Sequence, residues 1–272
     1  KDLSSLLGQI HRTSANVFFS TGVGADQKNT NANILYIGQS GLGLGDRDYY
    51  FDQQSEGIRT KYVEFIKTVT TLAGYSAEEA DRIAESVLAI EQKLAEAHFT
   101  NVERRNPHKN YNRFTANELR RTYRNVDWDA YAEAMGFQMP EELVVSQLPA
   151  LKRANQIIGK EDLRTIKDYM LFHEVRSAAS YLSDDFTAAN FDFYGRILSG
   201  SEQQRPRWKR ALSVADGNLS EAVGKKYVEK FFPAEYKERM LSMVGNLQTA
   251  LGKHIDALDW MSDETKVKAH EK

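Results

Sequence analysis

Residues 40–50 read S-G-L-G-L-G-D-R-D-Y-Y, three glycines alternating with two leucines directly ahead of a cluster of charges and aromatics. Glycine alone reaches φ > 0 without steric cost, so Gly41, Gly43 and Gly45 permit a sharply turning backbone while Leu42 and Leu44 pack to one side. What lies on either side differs in period. Upstream, Val17, Phe19, Thr21 and Val23 alternate with Phe18, Ser20 and Gly22, and a polar turn from Asp26 to Asn31 leads into Ile34-Leu35-Tyr36-Ile37, which predicts a β-hairpin. Downstream, apolar residues recur at helical spacing almost to the end. The glycine stretch is therefore expected to be an ordered corner between a hairpin and a long run of helices, the first starting among Asp46 to Tyr50.

Leu3, Leu6, Leu7 and Ile10 predict a short amphipathic first helix that ends before Thr13 and Ser14 and lies against the hairpin. Ile58, Tyr62, Phe65, Ile66, Val69 and Leu72 mark a helix closed by Gly74. Ser76 and Glu79 form a capping box for the next, whose stripe runs through Ile83, Val87, Ile90 and Leu94 to His98. Thr115 and Glu118 cap a short helix through Tyr123, and Trp128, Tyr131 and Met135 suggest another. Pro149 suits the first turn of a helix from about Ser146 to Ile158. A long helix from about Glu161 follows, the chain restarts at Asp184 or Asp185, and Gly200 ends that segment. Trp208, Leu212, Val223, Tyr227 and Phe231 continue the helical spacing around an expected turn at Asp216-Gly217. Pro233 opens a helix with one apolar face from Tyr236 to Leu258, roughly 35 Å long at about 1.5 Å per residue, and Ser262 caps a last segment. The reading is mainly α: a single irregular multi-helix domain, residues 1–272, with one small β-hairpin near the N-terminus.

A net charge of −2 and 27% charged residues name no polyanionic partner, and the absence of cysteine excludes disulfides and thiolate chemistry. The longest uncharged run, Asn29 to Gly45, is polar and shorter than the roughly 18 apolar residues a membrane span needs. The chain opens on Lys1 with no visible signal peptide and closes inside a charged helix, which reads as a processed protein or a cut piece.

His173-Glu174 is the one place to seek a metalloprotease helix, because H-E-x-x-H puts two imidazoles one turn apart on a zinc ion; position 177 is Ser. His173 also sits on an apolar stripe, so a core histidine is the better reading. Gly41-x-Gly43-x-Gly45 fails both phosphate-cradle patterns, since Asp46 and Arg47 follow directly. The acid pairs Glu78-Glu79 and Asp184-Asp185 fall at helix starts, where the macrodipole favours them. Between Glu103 and Arg124, seven Lys or Arg face two Glu. Arg104, Arg105, Arg113, Arg120, Arg121 and Arg124 are thus candidates for a wall that attracts a peptide carboxylate, against the plainer reading of a solvated basic face. Aromatics do not interleave with them as a nucleic-acid stacking platform requires, so no nucleic-acid partner is expected.

Three strings in collinear order, L-Y-I-G-Q-S-G-L-G-L-G-D-R-D-Y-Y-F (35–51), R-W-K-R-A-L-S-V-A-D-G-N-L-S-E-A-V-G-K-K-Y-V (207–228) and L-D-W-M-S-D-E-T-K-V-K-A (258–269), resemble the amino-terminal domain of the neprilysin family of zinc endopeptidases, including its bacterial oligopeptidases. Gly45 stands where many members have Pro, and Ala211 where animal members have Cys, which points to a bacterial, disulfide-free relative. The resemblance implies that zinc is held by H-E-x-x-H and a further Glu in a carboxy-terminal catalytic domain. None of those residues occurs here, so no catalytic or metal residue is carried over, no cofactor is expected in this chain, and zinc is expected in the parent protein. It implies further that this chain is mostly the helical cap across a closed chamber from the catalytic domain, limiting substrates to short peptides. The partners would be that domain of the same parent chain and short peptides, in an extracytoplasmic setting. On this reading the parent is an enzyme and the chain alone is not. The alternative is a free-standing helical binding or scaffold module; an H-E-x-x-H further along the parent reading frame separates the two.

Overall fold

The computed structural model describes residues 2–13 and 15–272; Ser14, expected just past the first helix, lies outside the described residues. The chain divides into two compact units, Lys1–Gln204 and Arg205–Lys272. Twelve α-helices and one four-stranded sheet are present among the described residues, so the chain is mainly α, as its periodicity predicts.

In the first unit, β1 (Phe19–Asp26) and β2 (Asn29–Gln39) form the expected hairpin, in register from Phe19 opposite Gln39, with a bulge at Ala25/Asp26. Its turn is tighter than the sequence suggested: Asp26 already pairs with Asn29, leaving only Gln27 and Lys28 between them. Two further strands were not expected. β3 (Asn112–Thr115) and β4 (Glu142–Val145) complete a mixed sheet of order β1-β2-β4-β3, with β4 parallel to β2 and antiparallel to β3. Leu143, Val144 and Val145 are all fully buried, so β4 shows no alternation, and an apolar run of this length carries no strand signature.

Helix α1 (Asp2–Arg12) packs chiefly on α6 (Trp128–Met135) rather than on the hairpin. Gly8 allows it: a Cβ there would meet the Tyr131 carbonyl oxygen at 2.6 Å and Ala134 Cβ at 2.7 Å. His11 carries α1 to the sheet, its ring edge-on to Phe19 at 5.1 Å. Nε2 of His11 faces the Val17 carbonyl at 3.0 Å and Nδ1 faces the Tyr131 hydroxyl at 2.7 Å. Burial lowers the His11 pKa to about 4, so the ring is neutral, donating from Nε2 and accepting at Nδ1.

The centre of the unit is α3 (Ala77–Ala97), which packs on α2 (Glu56–Leu72), α7 (Leu148–Lys160) and α8 (Leu163–Ala178). The predicted capping box is formed, with Ser76 Oγ accepting from the Glu79 amide and the Glu79 carboxylate accepting from the Ser76 amide. Ile83, Val87, Ile90 and Leu94 are fully buried. Asp168 on α8 accepts Arg82 Nε at 3.0 Å, Arg82 Nη2 at 3.2 Å and Ser86 Oγ at 3.2 Å, which pins α8 to α3. Beyond α4 (Asn101–Arg104) and α5 (Ala116–Thr122), the unit closes with α9 (Asp184–Asn190) and a π-helical turn, Phe191–Leu198, whose Phe193 ring stacks on Phe65 at 5.2 Å.

The second unit contains α10 (Arg207–Phe231), α11 (Ala234–Asp256) and α12 (Asp263–Glu271), with Ser262 as the N-cap of α12. The break expected at Asp216-Gly217 comes two residues later: both of those residues are helical, and α10 kinks at Leu219 (φ −126, ψ 27) into two helical segments. Just ahead of that kink, Asn218 Nδ2 donates to the Val214 carbonyl one turn back.

Candidate functional site

The residues that converge most closely do so around Glu91, a fully buried carboxylate on α3. Its Oε1 accepts from the Gly43 amide at 2.9 Å, the Tyr62 hydroxyl at 2.9 Å and His173 Nε2 at 2.8 Å, and its Oε2 accepts from the Tyr50 hydroxyl at 2.8 Å. The donors come from four separate elements: the glycine corner, a short 3₁₀ turn at Arg47–Tyr50, α2 and α8. The Gly43 carbonyl accepts in turn from Tyr194 OH at 2.9 Å and Arg176 Nη1 at 3.4 Å. Gly43 is thus clamped between a buried anion at its N–H and a guanidinium at its C=O, and a charge withdrawn from water is stabilised only when so surrounded.

Burial pushes the Tyr50 and Tyr62 hydroxyls well above the usual phenol range, and the Glu91 charge adds to it. Burial also lowers the His173 pKa, outweighing the opposing pull of Glu91. A neutral His173 donating from Nε2 leaves Nδ1 as a bare acceptor, and Nδ1 is one of the buried atoms without a partner among the described residues. The next residue, Glu174, accepts the Thr13 hydroxyl at 2.9 Å, so the His-Glu pair is spent in two directions. Among the described residues no three His, Cys, Asp or Glu are placed to hold a metal ion, so the residues present do not fit zinc.

The glycines of the corner divide by task, which corrects the sequence reading. Gly41 (φ +92) and Gly45 (φ +80) are left-handed; Gly43 is not. Gly43 is required by contact: a Cβ there would fall on the Tyr62 hydroxyl, 2.6 Å from its Cζ and 3.0 Å from Glu91 Oε1. Beside Gly41, Phe18 is itself held at φ +61, and Tyr169 bridges the two by accepting the Phe18 amide at 3.1 Å and donating to the Gly41 carbonyl at 2.8 Å. A left-handed phenylalanine is a strained residue that only surrounding structure maintains.

The six candidate arginines are spread over several elements. Arg104 ends α4 and Arg105 follows it, Arg113 lies on β3, Arg120 and Arg121 lie on α5, and Arg124 follows α5. Arg113 pairs with Glu142 at 2.5 Å, Arg120 makes a two-pronged contact with Asp129 at 2.7 and 3.0 Å, and Arg121 donates to the Asn117 carbonyl. None of them lines either of the larger grooves. One groove, of about 560 Å³, lies between α1 and α8 and is floored by Leu6, Ile10, Met170 and Leu171. The other, of about 400 Å³, lies beside the hairpin against Met135 and Phe137.

Sequence reasoning missed Glu91. Its signal was available: it falls within the stripe of Val87, Ile90 and Leu94, where an acid is out of place unless it is paired.

The model of peptidase family M13 matches residues 1–272. Human endothelin-converting enzyme 1 is 30% identical over 268 residues, 96% of this chain and 34% of that protein. Neprilysin-1 of Caenorhabditis elegans is 30% identical over 288 residues, 100% of this chain and 38% of that protein. Among solved structures, the Mycobacterium tuberculosis zinc metalloprotease Zmp1 in complex with an inhibitor is 32% identical and superimposes with a TM-score of 0.92 over 98% of this chain and 41% of that one. The chain spans roughly a third of the length of the curated relatives it matches. With the family model covering residues 1–272, the chain belongs to peptidase family M13.

Proposed function

We propose that residues 1–272 are the non-catalytic helical cap of a neprilysin-like zinc endopeptidase, limiting the access of peptide substrates to a catalytic domain elsewhere in the same parent chain. The observation that carries this reading is the likeness to Zmp1, which takes in 98% of this chain and only 41% of the metalloprotease. The engagement of His173 with Glu91 supports it, since the imidazole of the His173-Glu174 pair serves the fold. On this reading zinc belongs to the rest of the parent, and Arg104, Arg105, Arg113, Arg120, Arg121 and Arg124 contribute a positive wall that draws peptide carboxylates. Arg113 and Arg120 contribute least, their charge being already paired. An extracytoplasmic setting is part of the proposal, supported by a mouse relative called membrane metallo-endopeptidase-like 1, 28% identical to this chain.

The test uses the full parent chain with a peptide series of increasing length and a folded protein as substrates. Short peptides are expected to be cleaved and the folded protein spared. Combined Arg104→Ala, Arg105→Ala and Arg124→Ala substitutions are expected to raise KM about fivefold for peptides with a free carboxylate and to leave amidated peptides unchanged. Equal cleavage of the folded protein would sink the cap reading, and equal effects on both peptide forms would sink the role of the arginines.

A further inference from the structure

We propose that the groove between α1 and α8 binds short apolar peptides with both ends free, Glu174 taking the terminal ammonium group and Lys167 the terminal carboxylate. The inference deepens the cap reading, which supplies the source: each hydrolysis of a short peptide gives one fragment a new carboxylate and the other a new ammonium group. The groove lies wholly within the first unit, and its volume of about 560 Å³ is of the size that holds small ligands. Two stripes of equal spacing line it, Leu6, Gln9, Ile10 and Thr13 on α1 and Lys167, Met170, Leu171 and Glu174 on α8. The i, i+3, i+4, i+7 pattern puts each set on one side of its helix. Leu6, Ile10, Met170 and Leu171 make an apolar floor between the two charged positions of α8.

The occupant follows from which polar groups are still free. Asp168, also at the groove, is spent on Arg82 and Ser86. Glu174 accepts only the Thr13 hydroxyl, and no cation pairs with it among the described residues. It is half-buried, and a carboxylate partly withdrawn from water without a counter-charge is stabilised by an ammonium group brought beside it. Lys167 is exposed and has no carboxylate partner among the described residues. The two charges therefore call for a ligand with opposite signs at its two ends. Lys167 and Glu174 stand two turns apart on α8, about 10 Å at a rise of roughly 1.5 Å per residue. An extended tripeptide covers the same span at about 3.4 Å per residue. Its apolar side chains then lie on the floor, and the Gln9 amide and Tyr75 hydroxyl, which make no hydrogen bond among the described residues, face its backbone. A fatty acid would satisfy Lys167 and leave Glu174 bare; a free-ended peptide satisfies both.

The experiment titrates the tripeptide Leu-Leu-Leu into the parent chain and into residues 1–272, each carrying ¹³C-methyl methionine, and follows the Met170 methyl resonance, assigned by its loss in Met170→Leu. That resonance reports the groove and is blind to binding at a catalytic site elsewhere. It is expected to shift and saturate in both proteins. N-acetylation or C-terminal amidation of the peptide is expected to weaken binding about tenfold each. Glu174→Gln is expected to weaken the free peptide by a similar factor and to leave the acetylated one unchanged; Lys167→Gln does the same with the amidated one as its control. A Met170 resonance that moves in neither protein overturns the proposal, as does equal affinity for free and doubly capped peptides. So does a shift seen in 1–272 and lost in the parent, because the rest of the chain then fills the groove. The cap reading fails separately: a parent that cleaves folded proteins while Met170 still reports the tripeptide leaves the peptide site standing, while one that spares folded proteins with Met170 unmoved removes the peptide site alone.

Discussion

Gly43→Ala tests the account of the glycine corner most sharply, because the penalty has nothing to do with a left-handed backbone. The added methyl would fall on the Tyr62 hydroxyl, 2.6 Å from Cζ. Tyr62 cannot swing aside freely; it is fully buried, with its ring 5.9 Å from Phe172 and 5.4 Å from Phe193. Admitting the methyl means shifting the ring and losing its 2.9 Å bond to Glu91. A hydrogen bond to a charged group contributes about 1.5–3 kcal/mol and overpacking a core costs about 1–3, so the expected loss is about 3–5 kcal/mol. Gly45→Ala is the control: φ is +80 with nothing within 4 Å, leaving only a left-handed cost of about 1–2 kcal/mol. The assay is urea unfolding followed by near-UV circular dichroism. Tyr62→Phe added to Gly43→Ala removes the hydroxyl that the methyl strikes and a bond that is already lost, so the double variant is expected to be more stable than additivity predicts by about 1 kcal/mol or more. A Gly43→Ala variant no less stable than Gly45→Ala, or strict additivity with Tyr62→Phe, would refute the reasoning.

Two other outcomes follow from the buried polar groups. Burial lowers both His11 and His98 from 6.5 to about 4, so the folded state binds fewer protons than the unfolded one and stability is lost as pH falls from 6.5 toward 4. At pH 5 each accounts for about 2 kcal/mol, roughly 4 together, and a melting temperature equal at pH 5 and pH 7.5 would contradict this. Glu91→Gln turns an amide N–H toward hydroxyls already committed as donors, and is expected to destabilise the first unit by about 3 kcal/mol in urea titration; a loss below about 1 kcal/mol would show that the carboxylate does not organise the site.

What the sequence revealed and what it hid separate by range. The capping boxes at Ser76/Glu79 and Thr115/Glu118 were legible because their two residues lie three apart and their chemistry is local. Pairing of β4 with β2 joins Leu35 to Leu143, and nothing in three consecutive buried apolar residues announces a partner so far away. The break expected at Asp216-Gly217 was legible in kind but not in place: the kink falls at Leu219, two residues on. Crowding of arginines between Glu103 and Arg124 suggested one field, but Arg113 and Arg120 answer to Glu142 and Asp129, acids outside the crowded segment. Glu91 was visible as an acid in an apolar stripe, whereas Tyr50, Tyr62 and His173 reach it from segments with no common spacing.

Whether residues 41–50 hold a ligand or hold the fold is decided by where their polar atoms go. An anion cradle needs backbone N–H groups that point at nothing else. Here the Gly43 amide is given to Glu91, the Leu44 amide to the Tyr50 hydroxyl at 3.1 Å, and the Gly45 amide to the Leu42 carbonyl at 3.2 Å. Leu42 and Leu44 are buried in the core. Asp46 accepts the Asp48 amide at 3.0 Å and so caps the 3₁₀ turn, and Arg47 Nε donates to the Ala95 carbonyl on α3 at 3.1 Å. Tyr50 then returns to Glu91 and closes the circuit within eight residues of Gly43. Three consecutive amides spent internally leave none to offer, so the stretch is a plug that fastens the hairpin to α3. Gly43 and Gly41, unlike the glycines of a phosphate loop, are small so that Tyr62 and Tyr169 can come close, and Gly45 supplies a left-handed turn.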